Sequence, residues 1–261
     1  MTALVVAFAA VLGLVIGSFL NVVIWRVPRG ESVVSPPSHC PRCDTPISPR
    51  DNVPVLSWLL LRGRCRHCGE PISGRYPAVE LLTAAVFAAT ALRLGADWAL
   101  PAFLYLAAVG VALALIDLDT KKLPDRLTLP SYAVGVVLLG GAALAEGEWW
   151  LLARALIGMA ALYGFYFLLA VIYPAGMGFG DVKLAGVLGL HLGYLGWSAV
   201  VVGGALGFFL GGVFGAVAMA MRRASRKTMV PYGPFMILGA FLGIWWGQAI
   251  ADAYLGATGL S

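Results

Sequence analysis

An all-α polytopic membrane protein, with about eight transmembrane helices and a small cytoplasmic zinc-binding loop, is the fold class this sequence predicts. The first observation is bulk composition: of 261 residues, 60% are hydrophobic and only 12% charged, and mean hydropathy is +0.87. No water-soluble domain of this length would expose so much apolar side chain. The second is that the apolar residues fall into separate runs, and the length accommodates about eight spans of roughly 20 residues plus one soluble insert of about 50. The third is the placement of the basic residues between those runs.

In chain order the runs cover 4–25, 77–95, 99–118, 127–145, 150–173, 182–196, 198–221 and 232–254. The first has no basic region before it and no small-residue cleavage site after it, and Arg26 and Arg29 follow. It therefore reads as a retained helix, not a signal peptide. The sixth run is short for a bilayer crossing and is interrupted by Gly189, His191, Gly193 and Gly196. With the N-terminus outside and all eight runs spanning, 16 of the 18 Lys and Arg residues fall on the inner side. Only Arg93 and Arg154 lie at outer ends, where Asp97, Glu146 and Glu148 also sit, as the positive-inside rule requires. The net charge of +5 is then topological. It points to anionic membrane lipids as partners and gives no ground for nucleic acid. The chain divides into a first transmembrane helix (1–25), a cytoplasmic four-cysteine domain (26–76) and a multi-helix membrane domain (77–261).

All four cysteines lie in the polar insert, as Cys40-Pro-Arg-Cys43 and Cys65-Arg-His-Cys68. Two Cys-x-x-Cys knuckles on one short segment can offer four thiolates to a tetrahedral zinc ion, and such sites are structural. Two disulfides are the competing reading, disfavoured by the reducing cytoplasm in which the charge rule puts this segment. His39 and His67 could serve as ligands, but four cysteines already close the shell. A segment this small and rich in Pro and Arg needs the metal for its core.

Two aspartates break the apolar pattern: Asp117 at the inner end of the third run, and Asp181 in Gly176-Met-Gly-Phe-Gly-Asp-Val-Lys183. A carboxylate at membrane depth is costly unless paired or hydrated. Near a helix C-terminus Asp117 also opposes the helix dipole, so a structural role suits it poorly. Asp119 lies nearer water, and Asp125 after Pro124 reads as an N-cap. Asp181 could also be a cap, but Gly178 and Gly180 let backbone approach closely there. Both Asp117 and Asp181 fall at the same membrane edge, where they can meet. Two carboxylates sharing one proton can activate water for attack on an amide and protonate the departing group. The three histidines form no cluster with a serine and a carboxylate, so a serine triad is not indicated. Lys183 reads as ordinary positive-inside charge, or as a group that tunes the pair or holds a phospholipid headgroup. The glycines at 203, 207, 211 and 215 are spaced to pack helices closely, or to admit a substrate helix.

Several motifs together resemble the prepilin peptidases, along nearly the whole chain. They are Gly17-Ser-Phe-Leu-Asn-Val-Val-Ile24 with Arg26, the cysteine quartet, Asn52-x-Pro-x-x-Ser-Trp58, Arg75-Tyr-Pro-x-Val-Glu-Leu81, Asp117 with Pro124-Asp125, Gly178-Phe-Gly-Asp181-x-Lys183, and Pro231-Tyr-Gly-Pro234. The resemblance implies a multi-pass aspartic endopeptidase of the bacterial inner membrane, with Asp117 and Asp181 as its catalytic dyad. It implies that the enzyme removes the leader of type IV prepilins, pseudopilins or competence pilins. Members with the four-cysteine loop also methylate the new N-terminal residue from S-adenosylmethionine. Glu80, at the mouth of the second helix, is a candidate for that second site, with snorkelling or capping as the plainer reading. A peptidase without methyl transfer is the alternative; a proton-coupled transporter would want repeated halves, and none is evident.

Overall fold

The computed structural model describes residues 1–173, 177–221 and 231–259. Gly176 and the basic residues Arg222, Arg223, Arg226 and Lys227 lie outside the described residues. Among the described residues the fold is helical, and extended pairing is limited to two isolated bridges, His39 with Pro46 and Arg64 with Pro71. The chain forms two compact units, Met1–Ala96 and Asp97–Ser261.

In the first unit, helix α1 (Thr2–Arg26) packs along helix α3 (Arg75–Leu94), and the segment between them carries a short helix α2 (Leu56–Leu60). One row of α1, Ala9, Gly13, Gly17, Leu20 and Ile24, is buried, while Leu4, Phe8, Val11, Val15 and Phe19 are exposed. Both rows repeat at helical spacing, so one stripe meets α3 and the other is free for lipid. The glycines set the approach: a Cβ on Gly17 would stand 2.7 Å from Glu80 Cα, and one on Gly13 would stand 2.7 Å from Ala84 Cα. Backbone cannot yield as a side chain can. Gly17→Ala is therefore expected to separate the helices and cost about 1–3 kcal/mol, measurable as a lower melting temperature in detergent.

The second unit holds α4 (Leu100–Thr120), α5 (Asp125–Glu146), α6 (Trp149–Ile172), α7 (Phe179–Leu195), α8 (Trp197–Ala220) and α9 (Gly233–Thr258). Among the described residues seven helices, α1, α3, α4, α5, α6, α8 and α9, are long and apolar enough to cross a membrane, which makes this a multi-pass membrane protein. The sixth run of the sequence corresponds to α7, which has 17 residues and falls short of that length. Its role differs from that of its neighbours. Every residue from Leu184 to Tyr194 is buried, so α7 is the axial helix of the unit, touched by α4, α5, α6, α8 and α9. A helix apolar on all sides belongs in such a place.

Two of the glycines that seemed to interrupt this run, Gly189 and Gly193, are contact points, as is Gly186. Gly186 receives the Tyr132 ring, and Gly189 and Gly193 meet the backbone of Gly158 on α6. At its C-terminus Arg154 donates from Nε to the Gly193 carbonyl at 2.8 Å, answering one of the terminal carbonyls that the helix leaves unpaired. Along α8, Gly203 and Gly207 face the α9 backbone at Ala240 and Met236, and Gly211 makes room for the Tyr232 ring. Close packing is thus the use of these three, whereas a Cβ at Gly215 would meet nothing within 4 Å.

Candidate active site and metal centre

Asp117 occupies the last turn of α4, 5% exposed. The helix ends just beyond it, where Lys121 takes a left-handed conformation and its N–H closes on the Asp117 carbonyl at 2.8 Å. The Asp117 carboxylate accepts the backbone N–H of Gly233 through Oδ2 at 2.9 Å. Gly233 is the first residue of α9, and a Cβ there would stand 2.9 Å from the same oxygen. Glycine is needed so that this amide can reach the carboxylate.

Asp181 lies in the first turn of α7, and its Oδ2 accepts the N–H of Gly178, the residue that caps the helix, at 3.2 Å. The cap anchors one carboxylate oxygen at the positive end of the helix. Leu123 joins the two places, since its side chain meets the Cβ positions of both Gly180 (3.1 Å) and Gly233 (3.3 Å). Asp117 stands close enough for its charge to act on Asp181. The two aspartates singled out by the sequence are therefore brought together inside one compact unit.

Tyr166 and Tyr232, with ring centroids 6.3 Å apart, also lie within electrostatic reach of Asp181. The Pro231-Tyr-Gly-Pro234 motif contained two of these partners, Tyr232 and the Gly233 amide. Nothing in the sequence marked Leu123 or Tyr166, because an apolar or aromatic residue among many carries no signal of its own.

Asp125 corrects the sequence reading. Pro124 occupies the N-cap of α5, and Asp125 is its first residue. Its carboxylate instead binds Lys183 Nζ at 2.7 and 2.8 Å, with Lys183 also lying over the Phe179 ring at 5.2 Å. Lys183 is thus held between α5 and α7, and its partner is Asp125. The pair is partly exposed, with the two side chains 21% and 55% accessible, and such pairs contribute about 0–1 kcal/mol. Lys183→Ala is expected to lower stability by no more than that and to leave peptide cleavage nearly intact, as thermal melts and a cleavage assay would read.

The four thiols converge: the Sγ atoms of Cys40, Cys43, Cys65 and Cys68 all lie within 4.8 Å of one another. Cys40 and Cys68 are 3.8 Å apart at sulfur. Four Zn–S bonds of about 2.3 Å in a tetrahedron separate sulfurs by about 3.8 Å, so the donor set fits zinc. The backbone beneath it is duplicated. Cys40 N–H binds the Thr45 carbonyl at 3.0 Å and Cys65 N–H the Glu70 carbonyl at 2.8 Å, while Asp44 and Gly69 return N–H groups to Cys40 and Cys65 at 2.9 and 3.0 Å. Asp44 and Gly69 both take positive φ, 53° and 73°, the turn that aims each pair of thiols at one point. Hydrogen bonding with the Thr45 side chain, then its backbone, brings the Cys43 thiol down to about 6, which favours the thiolate a metal needs. Around the knuckles, Arg66 clasps Asp51 with contacts of 2.6–3.0 Å and holds its carboxyl below the ordinary range. Trp58 Nε1 donates to the Ile72 carbonyl at 3.0 Å.

Glu80 is buried and serves a capping contact in place of snorkelling. It is 7% exposed, and Oε2 accepts the N–H of Val55 at 2.7 Å. It caps a helix, but that helix is α2, at whose N-terminus Val55 stands.

Residues 11–94 match the family model described as Bacterial Peptidase A24 N-terminal domain, and residues 103–218 match that of the Type IV leader peptidase family. A prepilin leader peptidase/N-methyltransferase of Aeromonas hydrophila is 38% identical over 270 residues, covering 93% of this chain and 91% of that protein. This chain belongs to the type IV leader peptidase family. Further prepilin leader peptidase/N-methyltransferases are similar: that of Neisseria gonorrhoeae at 35% identity over 91% of this chain and 89% of its own, and that of Stutzerimonas stutzeri at 34% over 95% and 92%. No solved structure gives a significant match. In this leader peptidase the thiol cluster falls within the first family match, and both aspartates fall within the second. Membership of a peptidase family leaves the transporter reading without support.

Proposed function

We propose that this peptidase cleaves the leader from type IV prepilins or pseudopilins with Asp117 and Asp181 as its dyad, and then methylates the exposed N-terminal residue. The observation that supports the reading is that two carboxylates from separate helices lie on either side of Leu123, each anchored through Oδ2 by one backbone N–H. The anchoring leaves the second oxygen of each for chemistry. One carboxylate, ionised, takes a proton from water as the water oxygen bonds to the scissile carbonyl carbon. The other, protonated, gives its proton to the carbonyl oxygen, and collapse of the tetrahedral species breaks the C–N bond with a proton returned to the amine. The two carboxyls together hold one exchangeable proton before and after, so no metal or covalent intermediate is required.

The names of the relatives support the substrate class and the second activity. In that step the methyl leaves the sulfur of S-adenosylmethionine for the new α-amine, which releases a proton. Glu80 binds the Val55 amide through Oε2, and a capping role accounts for it without a part in methyl transfer. Zinc on Cys40, Cys43, Cys65 and Cys68 has a structural role, with the knuckles and residues 26–76 on the cytoplasmic side of the inner membrane and the N-terminus outside, as the distribution of basic residues favours. Gly178 and Gly180 shape the cleft beside Asp181.

The test is incubation of a full-length type IV prepilin with the purified protein and S-adenosylmethionine, followed by mass spectrometry of the new N-terminus. The expected product has lost its leader and is heavier than the cut chain by one methylene. A product cut but unchanged in mass reduces the reading to a peptidase alone. An uncut precursor, with protein that melts cooperatively, overturns it.

A further inference from the structure

The least expected surface of the first unit is on α2. Leu56, Leu59 and Leu60 are 59%, 57% and 82% exposed, and at spacings of three and four they share one face of the helix. The opposite face carries Ser57, buried and bonded to the Arg50 carbonyl and the Val53 amide, and Trp58, bonded to the Ile72 carbonyl. The polar residues are thus turned inward and the leucines outward, the reverse of what water selects.

The position of α2 along α3 says what meets that face. The Val55 amide is bound to Glu80, the sixth residue of α3, and so lies about 7.5 Å along the axis from the helix start. Helix α3 has 20 residues, about 30 Å in length, which is the thickness of the hydrocarbon core with none to spare. The N-terminus of α2 is therefore fixed below the level at which α3 enters the bilayer. Trp25 at the end of α1 and Tyr76 at the start of α3, both exposed, mark the same level with side chains that favour the membrane interface. Arg62 and Arg64, exposed just after α2, suit lipid phosphates.

The turn that delivers α2 there is strained. Val55 sits at φ 60°, ψ −50°, and Leu56 N–H closes on the Pro54 carbonyl at 2.5 Å. This is the rarer form of γ-turn, disfavoured for a β-branched residue and kept only where the surroundings hold it. Glu80 supplies one such restraint from inside; burial of the leucines in lipid supplies another.

We propose that α2 is an interfacial wedge whose Leu56, Leu59 and Leu60 seat in the headgroup–acyl boundary of the leaflet where α3 begins. The depth agrees with the roughly 5–10 Å to which amphipathic helices sink into that boundary. The four-cysteine segment is then seated on the membrane at a third place besides its two ends, which fixes its height over the bilayer.

The test places a photoreactive benzoylphenylalanine at position 60 of the full chain, in vesicles of phosphatidylethanolamine and phosphatidylglycerol, with position 42 in the first knuckle as control. After illumination the expected product is the chain plus the mass of one phospholipid, several-fold more abundant at 60 than at 42. A cross-link within the chain, a cross-link to a second copy, or a lipid yield no greater than at 42 would overturn the proposal. Zinc content and a monodisperse profile report folding; if the group at 60 disturbs either, positions 56 and 59 decide in its place. Leader cleavage enters nowhere, so the outcome is independent of the proposed peptidase chemistry.

Discussion

Asp117→Asn and Asp181→Asn are each expected to slow leader cleavage by about 1,000-fold or more, the scale on which a positioned acid or base acts. The substitution is chosen to isolate the proton. Asparagine keeps the shape of aspartate and an oxygen that can accept the Gly233 N–H in one case and the Gly178 N–H in the other. It cannot take a proton from water or carry one to the carbonyl. Melting temperatures within a few degrees of wild type would show the anchoring bonds retained. Because the pair acts as a unit, the double variant should be no slower than the slower single one. Cleavage by either variant within tenfold of wild type would remove that residue from the dyad and direct attention to Asp119, since Asp125 is engaged with Lys183.

Removing zinc is expected to have the largest structural effect. Replacing Cys40 or Cys65 by serine takes away one of four converging thiols and, with it, binding that is worth on the order of 10 kcal/mol in small structural sites. Metal content should fall from about one ion per chain to near zero, and a protease should then cut between α1 and α3. The supports that remain around the knuckles, the Asp51–Arg66 pair and the Trp58 hydrogen bond, are exposed or few and cannot replace the ion. Helices α4 to α9 form a separate compact unit and should resist the protease as before. Product masses from the same variants would show whether methylation is lost while cleavage persists, as expected if the knuckle segment serves the second activity. Wild-type metal content in either variant would refute the four-thiol site.

Much of this was legible in the residues. Membrane-crossing helices announce themselves by length and apolarity, and the helix boundaries followed. The cysteine spacing foretold the thiol cluster, since only a metal or disulfides bring four such residues onto one short polar stretch. The aspartates stood out because ionisable groups are rare in apolar runs. What could not be read was which neighbour each polar group would find. Asp125 looked like a helix cap and became the partner of Lys183, 58 positions away; for Glu80 a capping role was foreseen, but not that the helix would be α2. Gly189 and Gly193 read as breaks in a span, yet they are where α6 comes closest, because a missing Cβ weakens a helix alone and permits contact when another helix is present.

The class of the protein, the approximate spans, the thiol quartet and the two carboxylates could all be read along the chain, since each depends on local composition or spacing. That α7 is an axial helix, that Leu123 lies between the surroundings of the two aspartates, and that the leucines of α2 point outward emerged from long-range packing alone. Those outcomes depend on side chains meeting across dozens of residues. The free energy of such meetings lies in packing between helices, which no single stretch of chain encodes.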